Sequence, residues 1–228
     1  LLSEEWIKKE GIPLYEADLG VEDITELPRR DWPRLGGKGT FVQIEATKQA
    51  GTGMYVVEIP PGGALEPEKH LYDELLFVWK GRGLTELWQS GGTRRSFEWG
   101  EGSLFAIPLN AWHRLVNGGR EPALVFGRTS APTAMNLYRN TEFIFNCDHD
   151  FTDRYKGEGD YFVASDKRFK VGIRPYWETN FIPDVRSAFL DDFSEKAGPD
   201  GHLTFFVLNA WGGSHASEWP VGRYHKAH

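Results

Sequence analysis

The feature that most restricts this chain is a series of short apolar runs, each of strand length, punctuated by Gly and Pro. They fall at 41–44, 54–59, 75–79, 84–88, 96–99, 103–107 and 123–127. Several alternate apolar with polar residues, which gives a strand one inward and one outward face. Gly91-Gly92, between two of the runs, reads as a hairpin turn. Many short strands divided by closely spaced turns build a sandwich or a barrel. An all-β chain is therefore expected, with a sandwich or barrel over 36–135. Residues 1–35, with Pro28, Pro33 and scattered Trp6, Ile7, Leu14 and Leu35, read as an arm lying over it. Residues 136–202 read as a connector of Asn-, Asp- and aromatic-rich loops, with one short helix around 185–197 and a closing Gly198-Pro199-Asp200-Gly201 turn. Strand pattern resumes at 203–208.

Composition narrows the function classes. With 228 residues, 40% of them hydrophobic, the chain can bury a proper core. A formal net charge of −7 argues against an extended phosphate-binding surface, so no nucleic-acid partner is expected. The single cysteine, Cys147, excludes a disulfide framework and a thiolate metal cluster, and a reducing, cytoplasmic compartment fits that usage. No stretch approaches the roughly 18 to 20 apolar residues of a membrane span, and no membrane partner is expected. The chain opens on Leu1 rather than Met and is expected to be trimmed there relative to the gene product.

Three residues able to ligate a metal lie close together at Glu68, His70 and Glu74, and a fourth, His113, follows a Pro-containing turn. Residues two apart on a strand share a face, so Glu68 and His70 point into the barrel while Lys69 points out. Imidazole and carboxylate donors together suit Fe(II), Mn(II), Ni(II) or Zn(II). Taken singly, each residue also has an ordinary structural reading, and for Glu68 that is a surface carboxylate paired with Lys69 or another cation.

The spacing of these residues resembles the two motifs of the cupin superfamily. The first runs Gly62, Glu68, His70, Glu74, Gly81, and the second Gly102, Pro108, Asn110, His113, Asn117. The departures are Glu68, where the family carries His, and Asn110, where it usually carries Gly. The resemblance covers about 38–130 and implies a cupin double-stranded β-helix, a jelly-roll barrel. It also implies that His70, Glu74 and His113 coordinate one divalent metal, with Glu68 as a fourth ligand or as a partner replacing one. A second carboxylate makes the set harder and more anionic, which favours Fe(II) or Mn(II) while leaving Ni(II) and Zn(II) open.

The segment 203–228 repeats the opening of the first motif, since Gly222 stands before His228 as Gly62 stands before Glu68. It is read as the start of a second, truncated cupin barrel whose remaining strands lie outside this chain; the alternative is a short tail. If alternation aims them inward, Phe77, Trp79, Trp88, Phe105 and Trp112 line a substrate pocket. Such a pocket would suit a small aromatic or hydrophobic oxygenated substrate. Two-domain cupins include dioxygenases, decarboxylases and isomerases, and the reading favoured is an Fe(II)- or Mn-dependent oxidoreductase of dioxygenase type. The alternatives are a non-catalytic small-ligand-binding cupin with a degraded metal site and a storage-protein-like role. Burial of Phe205, Val207, Trp211 and Trp219 is expected to drive a homo-oligomer.

Overall fold

The computed structural model describes the chain apart from residues 46, 48–50, 199, 211–212 and 223–228, with backbone only at 196 and 197. Helix α1 (Leu2–Lys9) leads to β1 (Leu14–Ala17), β2 (Arg30–Trp32), β3 (Gly37–Ile44) and β4 (Gly53–Ile59). There follow β5 (Glu74–Lys80), β6 (Gly83–Trp88), β7 (Arg95–Trp99), β8 (Leu104–Ile107), β9 (Trp112–Asn117) and β10 (Ala123–Thr129). The chain continues through α2 (Ala131–Tyr138), α3 (Thr141–Asn146), β11 (Arg168–Val171), β12 (Arg174–Glu178) and β13 (Phe181–Ile182). It ends in α4 (Ser194–Ala197), β14 (His202–Val207) and β15 (Ser214–Glu218). Each apolar run singled out in the sequence falls on a strand, and the architecture is the expected all-β jelly roll.

An eight-stranded sheet runs β1-β3-β4-β10-β5-β8-β13, with β2 paired to β3, and faces a three-stranded sheet β7-β6-β9. The last barrel strand, β10, lies between β4 and β5, so that Val125 is flanked by Val57 and Val78. The inward faces of the two sheets meet in one core. Val57, Ile59, Leu76, Val78, Phe105 and Val125 come from the larger sheet, Trp99 and Leu115 from the smaller. Removing each such side chain from water is worth roughly 1.5–3 kcal/mol.

The arm is built into this sheet. β1 runs parallel to β3 and β2 antiparallel to it, and Ile12, Trp32 and Leu35 are buried in the barrel core. The amphipathic α1 packs Trp6 and Ile7 against the same core and lies against α2, where the Ser3 N–H donates to Asn136 Oδ1 at 3.2 Å.

The connector differs from its reading. Residues 131–138 and 141–146 are helical, and β11 and β12 join β14 and β15 in a sheet ordered β11-β12-β14-β15. The helix expected at 185–197 is broken in two: Asp184 accepts from the Arg186 N–H at 2.9 Å around a 3-10 turn, and Asp192 accepts from the Ser194 N–H at 3.0 Å before α4. Short acidic side chains bonding their own backbone compete with a continuous helix. Trp211, named for the oligomer, and His228, on which the second-barrel reading leans, lie outside the described residues. Among the described residues no helix is long and apolar enough to cross a membrane.

Candidate metal centre

Strand parity assembles the site. On β5 the buried residues are Glu74, Leu76 and Val78, and on β9 they are His113, Leu115 and Asn117. Glu68 sits opposite His113 in an antiparallel bridge, its N–H donating to the His113 carbonyl at 3.0 Å and its carbonyl accepting in return at 2.9 Å. The two side chains therefore share a face, and His70, two residues on, joins them. One ligand atom from each of Glu68, His70, Glu74 and His113 falls within 4.8 Å of the others, and all but Glu68 are fully buried. The structure thus brings together the four residues that the motif spacing had singled out.

Both imidazoles are oriented for an ion. His70 Nδ1 faces the Tyr72 carbonyl at 2.9 Å and His113 Nδ1 the Ala111 carbonyl at 3.0 Å, so Nδ1 is the protonated nitrogen of each ring and Nε2 the one that can offer a lone pair to an ion. The Nε2 atoms converge on Glu74 Oε2, at 3.6 Å from His70 and 3.4 Å from His113. His70 Nε2 is buried without a hydrogen-bond partner, which is costly unless something else fills that position. Tyr72 stacks on the His70 ring at 3.7 Å, and the Tyr55 hydroxyl donates to Glu74 Oε1 at 2.7 Å. The Tyr55 ring lies where a β-carbon on Gly127 would come within 2.3 Å, so glycine at this place in β10 admits the ring.

Electrostatics point the same way. Burial would raise the Glu74 pKa, but a hydrogen bond from His113 and the charge that His113 and His70 carry when protonated outweigh it and hold the carboxyl well below its usual range. Burial would lower His113, but Glu74, and more weakly Glu68, hold it above the usual imidazole value. Tyr55 and Tyr72 are pushed well above 10, first by burial and then by the nearby carboxylates, and remain protonated hydroxyls. Glu68 Oε2 accepts from Arg34 Nη1, and Arg34 Nε donates to Glu10. With neutral imidazoles, the three carboxylates Glu10, Glu68 and Glu74 against one guanidinium leave two uncompensated negative charges, the complement of a divalent cation. Donor type, tautomer, orphaned nitrogen and charge all fit a metal.

The motif departures have physical accounts. Asn110 adopts a left-handed φ of +58°, which Asn tolerates better than other side-chain-bearing residues, and its amide donates to the carbonyls of Cys147 and His149 at 3.0 and 2.8 Å. Asn117 is a strut: its amide donates to the Ile59, Pro60 and Glu121 carbonyls. The cation beside Glu68 is Arg34. Lys69 is instead buried against Trp112 and donates to the Cys147 carbonyl at 2.6 Å.

The expected pocket aromatics lie elsewhere. Phe77 and Trp79 occupy the face of β5 opposite Glu74, beside Glu101 and Arg186. Trp88 and Trp112 stack on each other at 6.2 Å on the outward face of the smaller sheet, under Arg94 and Lys69. Phe105 points inward but is closed into the core against Phe97. The cavity that reaches Glu68 and Glu74 is walled instead by Trp6, Trp32, Phe41, Met54 and Met135, with Arg34, Tyr55 and Tyr72 as further polar groups. Its core is about 40 Å³, room for a few water-sized groups. Arg34 and Glu10 carried no sequence signal. Tyr72 did, since it follows His70 at the same-face spacing.

Residues 35–145 match the family model described as Cupin, in line with the resemblance read from the two motifs. No curated protein matches the sequence. Among solved structures, an oxalate decarboxylase formate complex from Lactobacillus farciminis is similar at 24% identity and a TM-score of 0.40, covering 48% of this chain and 32% of that one. The coconut allergen cocosin is similar at 21% identity and a TM-score of 0.38, over 41% of this chain and 28% of that one. Tomato (Solanum lycopersicum) vicilin is similar at 17% and 0.36, over 41% and 28%. The chain thus spans under a third of the length of each.

Proposed function

We propose that this chain is a mononuclear metal-dependent oxidoreductase of the dioxygenase type, acting on a small aromatic or otherwise hydrophobic oxygenated substrate. The observation that carries the reading is the pair of imidazoles whose Nδ1 atoms are engaged by carbonyls while their Nε2 atoms converge on a buried carboxylate. Glu68, His70, Glu74 and His113 would hold the ion, with Fe(II) or Mn(II) favoured and Ni(II) and Zn(II) suited to the same donors. Bound there, a redox-active ion would supply the electron chemistry that no side chain of the cavity offers. The apolar walls exclude water and seat an apolar body, Tyr55 holds Glu74, and Tyr72 presents a protonated hydroxyl to a substrate oxygen. Among the described residues lining the cavity there is no carboxylate or imidazole beyond the candidate ligands, so a separate general base is missing. That favours oxidation over acid–base chemistry.

One observation favours a second reading, a small-ligand-binding cupin without metal: Glu68 already has a cation partner in Arg34. Metal analysis of protein purified without chelator, combined with oxygen uptake on small aromatic diols and diketones, separates the two. Near-stoichiometric iron or manganese with uptake supports the enzyme. Metal-free protein that still binds such ligands supports the second reading. We also propose that the chain forms a homo-oligomer, supported by the exposed apolar residues Phe169 and Val171 on the edge strand β11.

A further inference from the structure

Arg34 is brought to the cavity by the arm, in the turn after β2, where the Leu35 carbonyl accepts from the Glu66 N–H at 2.7 Å. Its guanidinium divides between two carboxylates. Nη1 donates to Oε2 of Glu68, and Nε donates to Oε2 of Glu10 at 2.7 Å. The same Glu10 oxygen accepts from Trp32 Nε1. The rings of Trp6, Trp32 and Phe145 surround the guanidinium carbon at 5.5, 5.5 and 5.2 Å. The other oxygen of Glu68, Oε1, faces His113 Nε2 at 3.9 Å.

We infer that Arg34 is a positioning residue of the metal centre, and that through it the N-terminal arm is a working part of the site. The inference rests on the metal reading above. An imidazole ligand is aimed by the hydrogen bond of its second nitrogen, as in His70 and His113. A carboxylate at position 68 has two equivalent oxygens and no such device. Arg34 supplies it by taking Oε2, which leaves Oε1 turned toward the other three residues. The planar fork of arginine fixes the directions of two carboxylates at once, whereas the rotatable ammonium of lysine can reach both without fixing either.

The test uses the full chain stripped with chelator, titrated calorimetrically with Mn(II) and separately with Zn(II), and the electron paramagnetic resonance spectrum of the Mn(II)-loaded form. Arg34→Lys keeps the charge and loses the fork. It should bind Mn(II) at least about tenfold more weakly and with an altered spectrum, while the metal-free variant melts within a few degrees of the parent. Glu10→Gln leaves the contact to Glu68 but slackens its anchor. It should move affinity and spectrum in the same direction by less, and it carries the test if Arg34→Lys does not fold. Parent affinity and spectrum retained in the variants would overturn the role of Arg34 and leave the metal centre standing. A parent chain that binds neither ion would overturn the metal reading and this inference with it.

Discussion

In the metal-free chain His113 and Glu74 stabilise each other, and the pH dependence of that pairing runs opposite to that of ion binding. The Glu74 pKa falls on folding, so its contribution is present above the ordinary 4.5 and is lost as pH drops toward the folded value. The His113 pKa rises on folding, so its contribution is complete below the ordinary 6.5 and is lost as pH climbs through the folded value. Both are in place between pH 4.5 and 6.5, and the metal-free Tm should be highest there. An ion needs His113 without its proton, so affinity should increase where this stabilisation declines. His113→Ala should abolish ion binding in calorimetry and keep the β spectrum in circular dichroism. It should cost the metal-free fold about 1–3 kcal/mol, with a penalty that shrinks above pH 6.5. A penalty independent of pH would show that the two are not paired. The four candidate ligands are legible in the sequence because a period of two and a turn of fixed length put them on one face. Arg34 and Glu10 are not, because they arrive by a turn and a helix end with no periodic relation to the site.

Among the elements, the turn before β9 is the most sensitive, because Asn110 combines a left-handed backbone with two side-chain bonds to the 147–149 segment. Asn110→Gly and Asn110→Ala both lose the bonds, and only the alanine also puts a β-carbon into the left-handed region. That strain is about 1–2 kcal/mol, partly offset by the larger unfolded-state entropy of glycine, about 0.4–1 kcal/mol. Melting should therefore rank the parent first, the glycine variant second and the alanine variant last. An alanine variant as stable as the glycine one would remove backbone conformation from the account. Parity also decides the aromatic residues. With Glu74 inward, the pleat of β5 sends Phe77 and Trp79 outward, and β9 treats Trp112 likewise once His113 points in. The sequence therefore held the information that separates ligands from supposed pocket walls, whereas closure of the cavity by α1 and the arm depends on tertiary contacts it does not encode locally. Helices α2 and α3 had readable starts, Ser130 ahead of Pro132 and Asn140 accepting from the Phe143 N–H. The surrounding loop-like composition hides them.

At the scale of the molecule, the apolar surface that wants covering has moved from where the sequence put it. Phe205 packs between Tyr176 and His215, at 5.3 and 5.5 Å, and Trp219 packs against Phe193 and Leu203. Val207 is 38% exposed, while Phe169 and Val171 on β11 are 39% and 60% exposed along a strand paired on one side only. Light scattering should find a dimer or larger assembly, and Val171→Lys should shift it toward monomer with little change in Tm. A monomeric parent would sink the proposal. The path from Glu10 through Arg34 to Glu68 carries a further consequence. Coupling free energies are reciprocal, so if the docked first helix strengthens ion binding through Arg34, a bound ion strengthens the docking of that helix by the same amount. Protease attack on the opening residues would then report, from the molecular surface, on whether the buried centre is filled.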